Sequence, residues 1–131
     1  MAGRNMQLAL AALDAYNAGD LDALMGFYAP DVEVVPDLPD ARPLHRRDEF
    51  RSFLEEANSA WVDPRWKVVE IYAVDRDRVI FRGGWGGRGR SSGISAVASY
   101  SAVQTFRDGL TVRLEIYSDH DRALKAAGLE E

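Results

Sequence analysis

Helical spacing of apolar residues dominates the first half of the chain, and strand-like alternation dominates the second half. The spacing predicts an amphipathic helix over residues 4–18, which Gly19 ends. Asp20 can cap a second short helix over residues 20–28 by accepting hydrogen bonds from backbone N–H groups. A third helix packed on a core is predicted from the i, i+3, i+4, i+7 and i+11 positions of Phe50, Phe53, Leu54, Ala57 and Trp61.

From residue 65 onward the apolar period is that of β-strands. A short strand is also predicted earlier, at Asp31–Val35. The later strands are Trp66–Val74, Arg78–Trp85, Ile94–Arg107 and Leu110–Ser118, with a tight turn at Arg107-Asp108-Gly109 and a short C-terminal helix that closes at Gly128. Helices first and an antiparallel sheet second predict a single α+β domain over residues 1–131, with helices on one face of a curved sheet.

The composition restricts the classes of function. A formal net charge of −5 argues against nonspecific nucleic-acid binding and against attachment to anionic membranes. The sequence has no cysteine, which excludes disulfides and thiolate metal sites. No window approaches the ~18 consecutive apolar residues of a membrane span, so a soluble cytoplasmic protein is expected.

Two features of the sequence suggest a cofactor or metal site, but the residues around them do not support such a site. The stretch GWGGRG at residues 84–89 fits the dinucleotide-binding pattern, but a strand rather than a helix is predicted to follow it. His45 and His120 are the only histidines, and no second histidine stands at ligand spacing from either. The sequence therefore predicts neither a cofactor nor a metal site.

Three sequence segments, together with the order of the elements, resemble those of a known family. They are AYNAGDLDALMGFYAPDVE, TFRDGLTVRLEIYSD and RALKAAGL, and GRGRSSGI before the long strand adds to them. They resemble the SnoaL-like branch of the nuclear transport factor 2 superfamily over nearly the whole chain. The resemblance implies a cone-shaped curved antiparallel sheet with three N-terminal helices on its concave face and a short C-terminal helix. Members include polyketide cyclases, ketosteroid isomerases, epoxide hydrolases, dehydratases and noncatalytic proteins, so the fold does not settle the function.

The acids and donors of catalytic relatives have no counterparts here. By the resemblance, the ketosteroid isomerase positions fall at Ala12, Pro36 and Ala102, and the acid of limonene epoxide hydrolase-like members falls at Ile116. None of these side chains can move a proton, so ketosteroid isomerisation is not expected. Asp37 is one residue from a base position and could replace it if the end of the strand shifts.

Asp37, Tyr100 and Gln104 are the polar candidates for catalysis. Tyr100 and Gln104 share the strand face that carries catalytic groups in relatives, and each side chain ends in a hydrogen-bond donor. Asp37 lies in the proline-rich stretch at residues 36–43, an expected loop or lid near the mouth of the cavity. A structural role for each stays open, because buried polar groups need partners without a ligand too.

The walls of the predicted cavity are apolar and aromatic. On the last strand, Val112, Leu114 and Ile116 should face inward, and Arg113, Glu115 and Tyr117 outward. The residues predicted to bind a flat hydrophobic ligand are Tyr16, Phe27, Tyr28, Val34, Phe53, Trp61, Trp66, Leu114 and Ile116. Core packing alone is the alternative for most of the aromatic residues.

Two hypotheses of function follow. The first is a pocket protein that binds an apolar or polycyclic small molecule and isomerises or cyclises it. The second is a noncatalytic binding or dimerisation module with a collapsed pocket. A homodimer is expected in either case, because the outward positions of the long strand are small or β-branched: Val97, Ser99, Ser101, Val103 and Thr105.

Overall fold

Five strands form one sheet in the order β1-β5-β4-β3-β2 in the computed structural model, which describes residues 2–37 and 41–129. The pairing of β1 with β5 is parallel and the other three pairings are antiparallel. The elements are α1 Ala2–Asn17, α2 Leu21–Met25, β1 Tyr28–Asp37, α3 Arg47–Asn58, β2 Trp61–Ala73, β3 Arg78–Gly89, β4 Ser95–Arg107, β5 Leu110–Tyr117 and α4 His120–Ala126. The predicted α+β class is confirmed. No helix of the described residues is long and apolar enough to cross a membrane.

The turns and caps read from the sequence are present. Gly19 adopts a φ of +76° after α1, and the Asp20 side chain accepts a hydrogen bond from the backbone N–H of Ala23 at 3.0 Å. At the tip of the β4–β5 hairpin, Asp108 and Gly109 have φ values of 54° and 81°. Two successive positive φ values are typical of the tight turn that matches the twist of a hairpin.

Several boundaries differ from the prediction: α2 ends at Met25 rather than at residue 28, β2 begins before Trp66, and β3 continues past Trp85 to Gly89. Trp61 was predicted at the end of the third helix, but α3 ends at Asn58 and Trp61 begins β2, with its ring 5.6 Å from that of Trp85. β1 extends beyond the predicted Asp31–Val35 at both ends and includes Pro30 and Pro36. Proline is tolerated there because β1 is an edge strand. Of the predicted proline-rich loop, residues 38–40 lie outside the described residues.

A bulge changes the inward face of the last strand. Thr105 pairs with Arg113 and Phe106 pairs with Thr111, so Val112 has no partner in the β4–β5 ladder. Thr111 takes the position predicted for Val112, and it is fully buried. One extra residue in a strand shifts the alternation locally, which the sequence pattern does not show.

Glycine is required at two positions in β3, because backbone of the neighbouring strands lies very close there. A Cβ atom on Gly83 would lie 2.0 Å from the backbone oxygen of Lys67, and one on Gly86 would lie 2.0 Å from that of Ala96. No side chain fits at such a distance from neighbouring backbone. These glycines allow the strands to curve around the helices.

The outer face of the sheet is partly covered by α4. Val103 packs with Ile80 against Ala123 of α4, and Ser101 Oγ lies 2.7 Å from His120 Nδ1. Ser101 and Val103 were predicted to be available for dimer contacts, but both are buried within the chain itself. The reason is that the C-terminal helix folds back over β4, a contact that strand alternation cannot reveal.

Candidate functional site

A small cavity lies between the helices and the concave face of the sheet. Its volume is about 60 Å³, and it is partly open to solvent. The lining residues are Ala9, Ala12, Leu13, Tyr16, Leu24, Tyr28, Phe50, Leu54, Trp66, Phe81, Ala102, Gln104, Leu114 and Ile116. All but Gln104 are apolar or aromatic, so the cavity has one amide among mainly apolar walls.

The positions carried over from catalytic relatives meet around this cavity. Ala12 projects from α1, Ala102 from β4 and Ile116 from β5. Pro36 does not border it. At these three positions the lining carries only alkyl side chains.

Gln104 is the polar end of the cavity. Its side chain is 2% exposed, and its Nε2 donates a hydrogen bond to Thr111 Oγ1 at 2.9 Å. Its Oε1 is buried and has no hydrogen-bond partner among the described residues. An unpartnered buried acceptor costs free energy unless a donor reaches it. Thr111 was missed from the sequence because the bulge hides its inward position.

Tyr28 and Phe50 form a second wall. Their rings meet edge to face with centroids 5.1 Å apart at 69°. Burial raises the pKa of the Tyr28 phenol well above its usual range, because the charged form would lose its hydration. Tyr28 therefore presents a neutral ring and a neutral hydroxyl at all physiological pH values.

Tyr16 lines the cavity with its ring, while its hydroxyl is already hydrogen-bonded to other side chains. The hydroxyl donates to Asn58 Oδ1 at 2.5 Å and accepts from Trp85 Nε1 at 2.6 Å. Burial raises the pKa of this phenol as well. This chain of hydrogen bonds joins α1, α3 and β3, so we assign the Tyr16 hydroxyl to structure and its ring to the cavity wall.

The motif AYNAGD also has a structural explanation. Asn17 Nδ2 donates to the backbone oxygen of Trp66, and the backbone N–H of Trp66 donates to Asn17 Oδ1, both at 2.8 Å. The amide thus pairs with the edge strand β2 as a neighbouring strand would. It fixes Trp66, whose ring is part of the cavity wall.

Two of the three predicted catalytic residues lie away from Gln104. The Arg122 guanidinium is 3.1 Å from Asp37 Oδ1 and 2.9 Å from Oδ2, and Asp37 does not border the cavity. Tyr100 packs against Trp66 with ring centroids 6.0 Å apart and borders a groove on the outer face instead. The structure does not bring Asp37, Tyr100 and Gln104 together.

The predicted apolar ligand residues divide into two groups. Tyr16, Tyr28, Trp66, Leu114 and Ile116 border the cavity. Four pack in the core or at its edge without bordering the cavity: Phe27, Val34, Phe53 and Trp61. Sequence reasoning missed Ala9, Leu13 and Leu54, although the helical period places each on an inward face. Among the described residues no cluster of His, Asp and Glu suits a metal ion.

Helices packed inside a curved five-stranded sheet, with a small recess between them, define the cone-shaped α+β class. Residues 9–114 match the family model of the SnoaL-like domain. This match spans most of the chain, and the protein belongs to the SnoaL-like family. The chain matches no curated protein sequence.

Solved structures share the whole fold. A candidate polyketide cyclase from Xanthomonas campestris pv. campestris is 25% identical, with a TM-score of 0.79 over 95% of this chain and 97% of that one. AclR, a candidate hydroxylase from Streptomyces galilaeus, is 19% identical, with a TM-score of 0.79 over 100% of both chains. TerC, crystallised with polyporic acid, is 20% identical, with a TM-score of 0.75 over 95% and 98%.

Proposed function

We propose that this protein binds a compact, neutral, mainly apolar small molecule in the cavity of the cone. The observation that carries this proposal is the buried, unpartnered Oε1 of Gln104 in a cavity with mainly apolar walls. Binding sites for small molecules combine apolar walls with a few placed polar groups. The cyclase and hydroxylase descriptions of similar structures are in keeping with small-molecule chemistry.

The size of the cavity favours a compact ligand over the polycyclic one predicted from the sequence. Pockets that hold drug-sized ligands have volumes of about 300–1,000 Å³, whereas this one has about 60 Å³. Because the cavity is partly open, a single ring can place its polar end inside and extend toward the mouth. A polycyclic ligand would require the walls to move apart.

Noncatalytic binding fits the lining better than isomerase or cyclase chemistry. General acid–base catalysis needs a titrating group within about 3 Å of the reacting atom or one water away. Among the described residues, the lining holds no Asp, Glu, His, Lys or Arg, and burial raises the pKa values of its two tyrosine phenols, Tyr16 and Tyr28. A catalytic role for Asp37 and Tyr100 stays a prediction, and their placement gives it no support.

Filling the cavity should abolish binding. Ala102→Val adds two methyl groups at the sheet side of the cavity and suits a strand. We expect it to eliminate binding of phenol, followed by the shifts of backbone amide NMR signals around the cavity, with an unchanged or higher melting temperature. Ala98→Val, at an exposed position on the same strand, should bind phenol as the unmodified protein does. Equal phenol binding by the unmodified protein and Ala102→Val would refute the proposal.

We also propose a homodimer through the uncovered part of the outer face. Val69, Ile94 and Val97 are 66%, 68% and 73% exposed, which is unusual for residues of this size and type. Val69 and Val97 border a groove of about 720 Å³ on that face. A second copy would cover this groove, whose lining includes Ser101, whereas the buried Val103 would lie outside the interface.

If the protein is a homodimer, one charged side chain introduced into the interface should convert it to a monomer. Val97→Asp should give a monomer in light scattering at micromolar concentration, because a carboxylate would be buried without a partner. Leu10→Asp places the same charge on α1, away from the proposed interface, and should leave the dimer intact. A monomer mass for the unmodified protein at that concentration would remove the claim.

A further inference from the structure

The groove on the outer face of the sheet is separate from the cavity of the cone. Its volume of about 720 Å³ lies within the range of about 300–1,000 Å³ that is typical of sites for drug-sized molecules. Gly84 and Gly86 of β3 border it, and each stands between a residue of β2 and a residue of β4 that carry side chains. The middle strand therefore forms a low floor between two higher walls.

The register of the strands places different chemistry on the two walls. On one side the two glycines pair with Arg65 and Lys67 of β2, which form a cationic wall. On the other side they pair with Val97 and Ser99 of β4, and the Val97 side chain is largely exposed. A charged wall thus faces a wall that offers apolar surface and a hydroxyl group.

The cations of the groove outnumber its acids. Its charged lining residues are Arg65, Lys67, Arg82 and Arg88, with Asp63 as the acid and His120 at one end. Arg82 already pairs with Glu70, with 3.1 Å between Nε and Oε1. The other three cations form no ion pair within residues 2–37 and 41–129. A positive groove on a chain with a formal net charge of −5 favours an anion at this place.

The two walls together suit a small organic anion with an apolar body. Arg65 and Lys67 can meet a carboxylate, sulfonate or phosphate group through charge-assisted hydrogen bonds. Rings or an alkyl chain can then lie over the glycine floor against Val97. A long polyanion such as nucleic acid is disfavoured, because it would extend beyond the groove over a protein of net negative charge.

The proposed dimer makes an anion in the groove more favourable. A two-fold interface contains the same surface patch from both copies, so the unpaired cations of both grooves would be enclosed in it. Like charges brought together in an interface cost free energy. An anion in each groove supplies the missing opposite charge.

We infer that the outer groove is a second binding site, which takes a small organic anion with an apolar body, and that the dimer holds this anion between its two copies. Arg65 and Lys67 bind the charged group, and Val97 contacts the apolar body. The inference is independent of the ligand in the cone cavity.

Naphthalene-1-sulfonate and its neutral, nearly isosteric sulfonamide test this site. In isothermal titration calorimetry at low ionic strength, the sulfonate should bind about tenfold more tightly than the sulfonamide, and added salt should reduce the preference. The net charge of the chain alone would give the opposite preference. Equal affinities for the two compounds, or no binding of the sulfonate, would overturn the inference.

The two lysines of the chain provide matched variants, because both are exposed and only one borders the groove. Lys67→Glu should weaken sulfonate binding about tenfold, since the groove loses a cation and gains a carboxylate. Lys125→Glu makes the same change in charge on α4 and should bind the sulfonate as the unmodified protein does. Equal affinities of the two variants would place the sulfonate elsewhere and contradict the inference.

Light scattering tests the place of the anion in the dimer. With saturating sulfonate, the dimer should persist at a protein concentration about tenfold lower than without it. Dissociation of the dimer by the sulfonate would overturn the position of the anion between the copies.

The outcomes for the groove and for the cone cavity are distinguishable. Ala102→Val fills the cavity and should leave sulfonate binding unchanged, because the groove does not include Ala102. Loss of sulfonate binding in Ala102→Val would assign the sulfonate to the cavity and refute the groove site. A monomer mass with and without sulfonate would remove the dimer and the enclosed anion, while the calorimetry would still decide whether the groove binds anions.

Discussion

Gly83→Ala should lower the free energy of unfolding by about 3 kcal/mol, the expected scale for a side chain forced into packed structure. The added Cβ would lie 2.0 Å from the backbone oxygen of Lys67, so β2 and β3 must separate at Gly83. For a domain of this size we expect the melting temperature to fall by roughly 10 °C, measured by circular dichroism.

The matched control is Gly3→Ala. A Cβ at Gly3 meets nothing within 4 Å, and Gly3 lies in α1, where alanine is preferred over glycine by up to about 1 kcal/mol. This variant should melt at the same temperature as the unmodified protein or higher. An unchanged melting temperature for Gly83→Ala would show that position 83 of β3 accepts a side chain.

Asn17→Ala should destabilise the protein by about 2 kcal/mol, because two backbone groups of Trp66 lose their partners. The edge strand would then loosen beside the cavity. We expect weaker phenol binding as well as a lower melting temperature, since the ring of Trp66 borders the cavity.

Gln7→Ala, at an exposed position on the same helix, serves as the control for Asn17→Ala. It should leave both the melting temperature and phenol affinity unchanged. A loss of about 2 kcal/mol of stability in Asn17→Ala without any change in phenol affinity would show that the edge strand does not influence the site, contrary to our expectation.

The helices and the hairpin are predictable because their signals are local. The period of α1, the cap at Asp20 and the turn at Asp108-Gly109 depend on neighbouring residues alone. Trp61 was misplaced for the same reason: its spacing fits a helix, but the chain leaves the helix at Ser59 and pairs Trp61 with Gly89 on β3. Long-range pairing decided that position.

The candidate site was predictable only in part. Gln104 was found because strand alternation places it beside Ala102, and both border the cavity. Thr111 required knowledge of a bulge, and the ion pair of Asp37 with Arg122 depends on how α4 returns to β1. Such contacts join residues far apart in sequence, and no periodicity encodes them.

The parallel pairing of β1 with β5 has a consequence for biosynthesis. Glu33 on β1 and Arg113 on β5 are 80 residues apart and form both a ladder pair and an ion pair. β1 therefore has no strand beside it until β5 leaves the ribosome, a wait of roughly 4–16 s at about 5–20 residues per second. During that interval its apolar side chains are open to chaperones and to other nascent chains, and a chain truncated before Leu110 should never close its sheet.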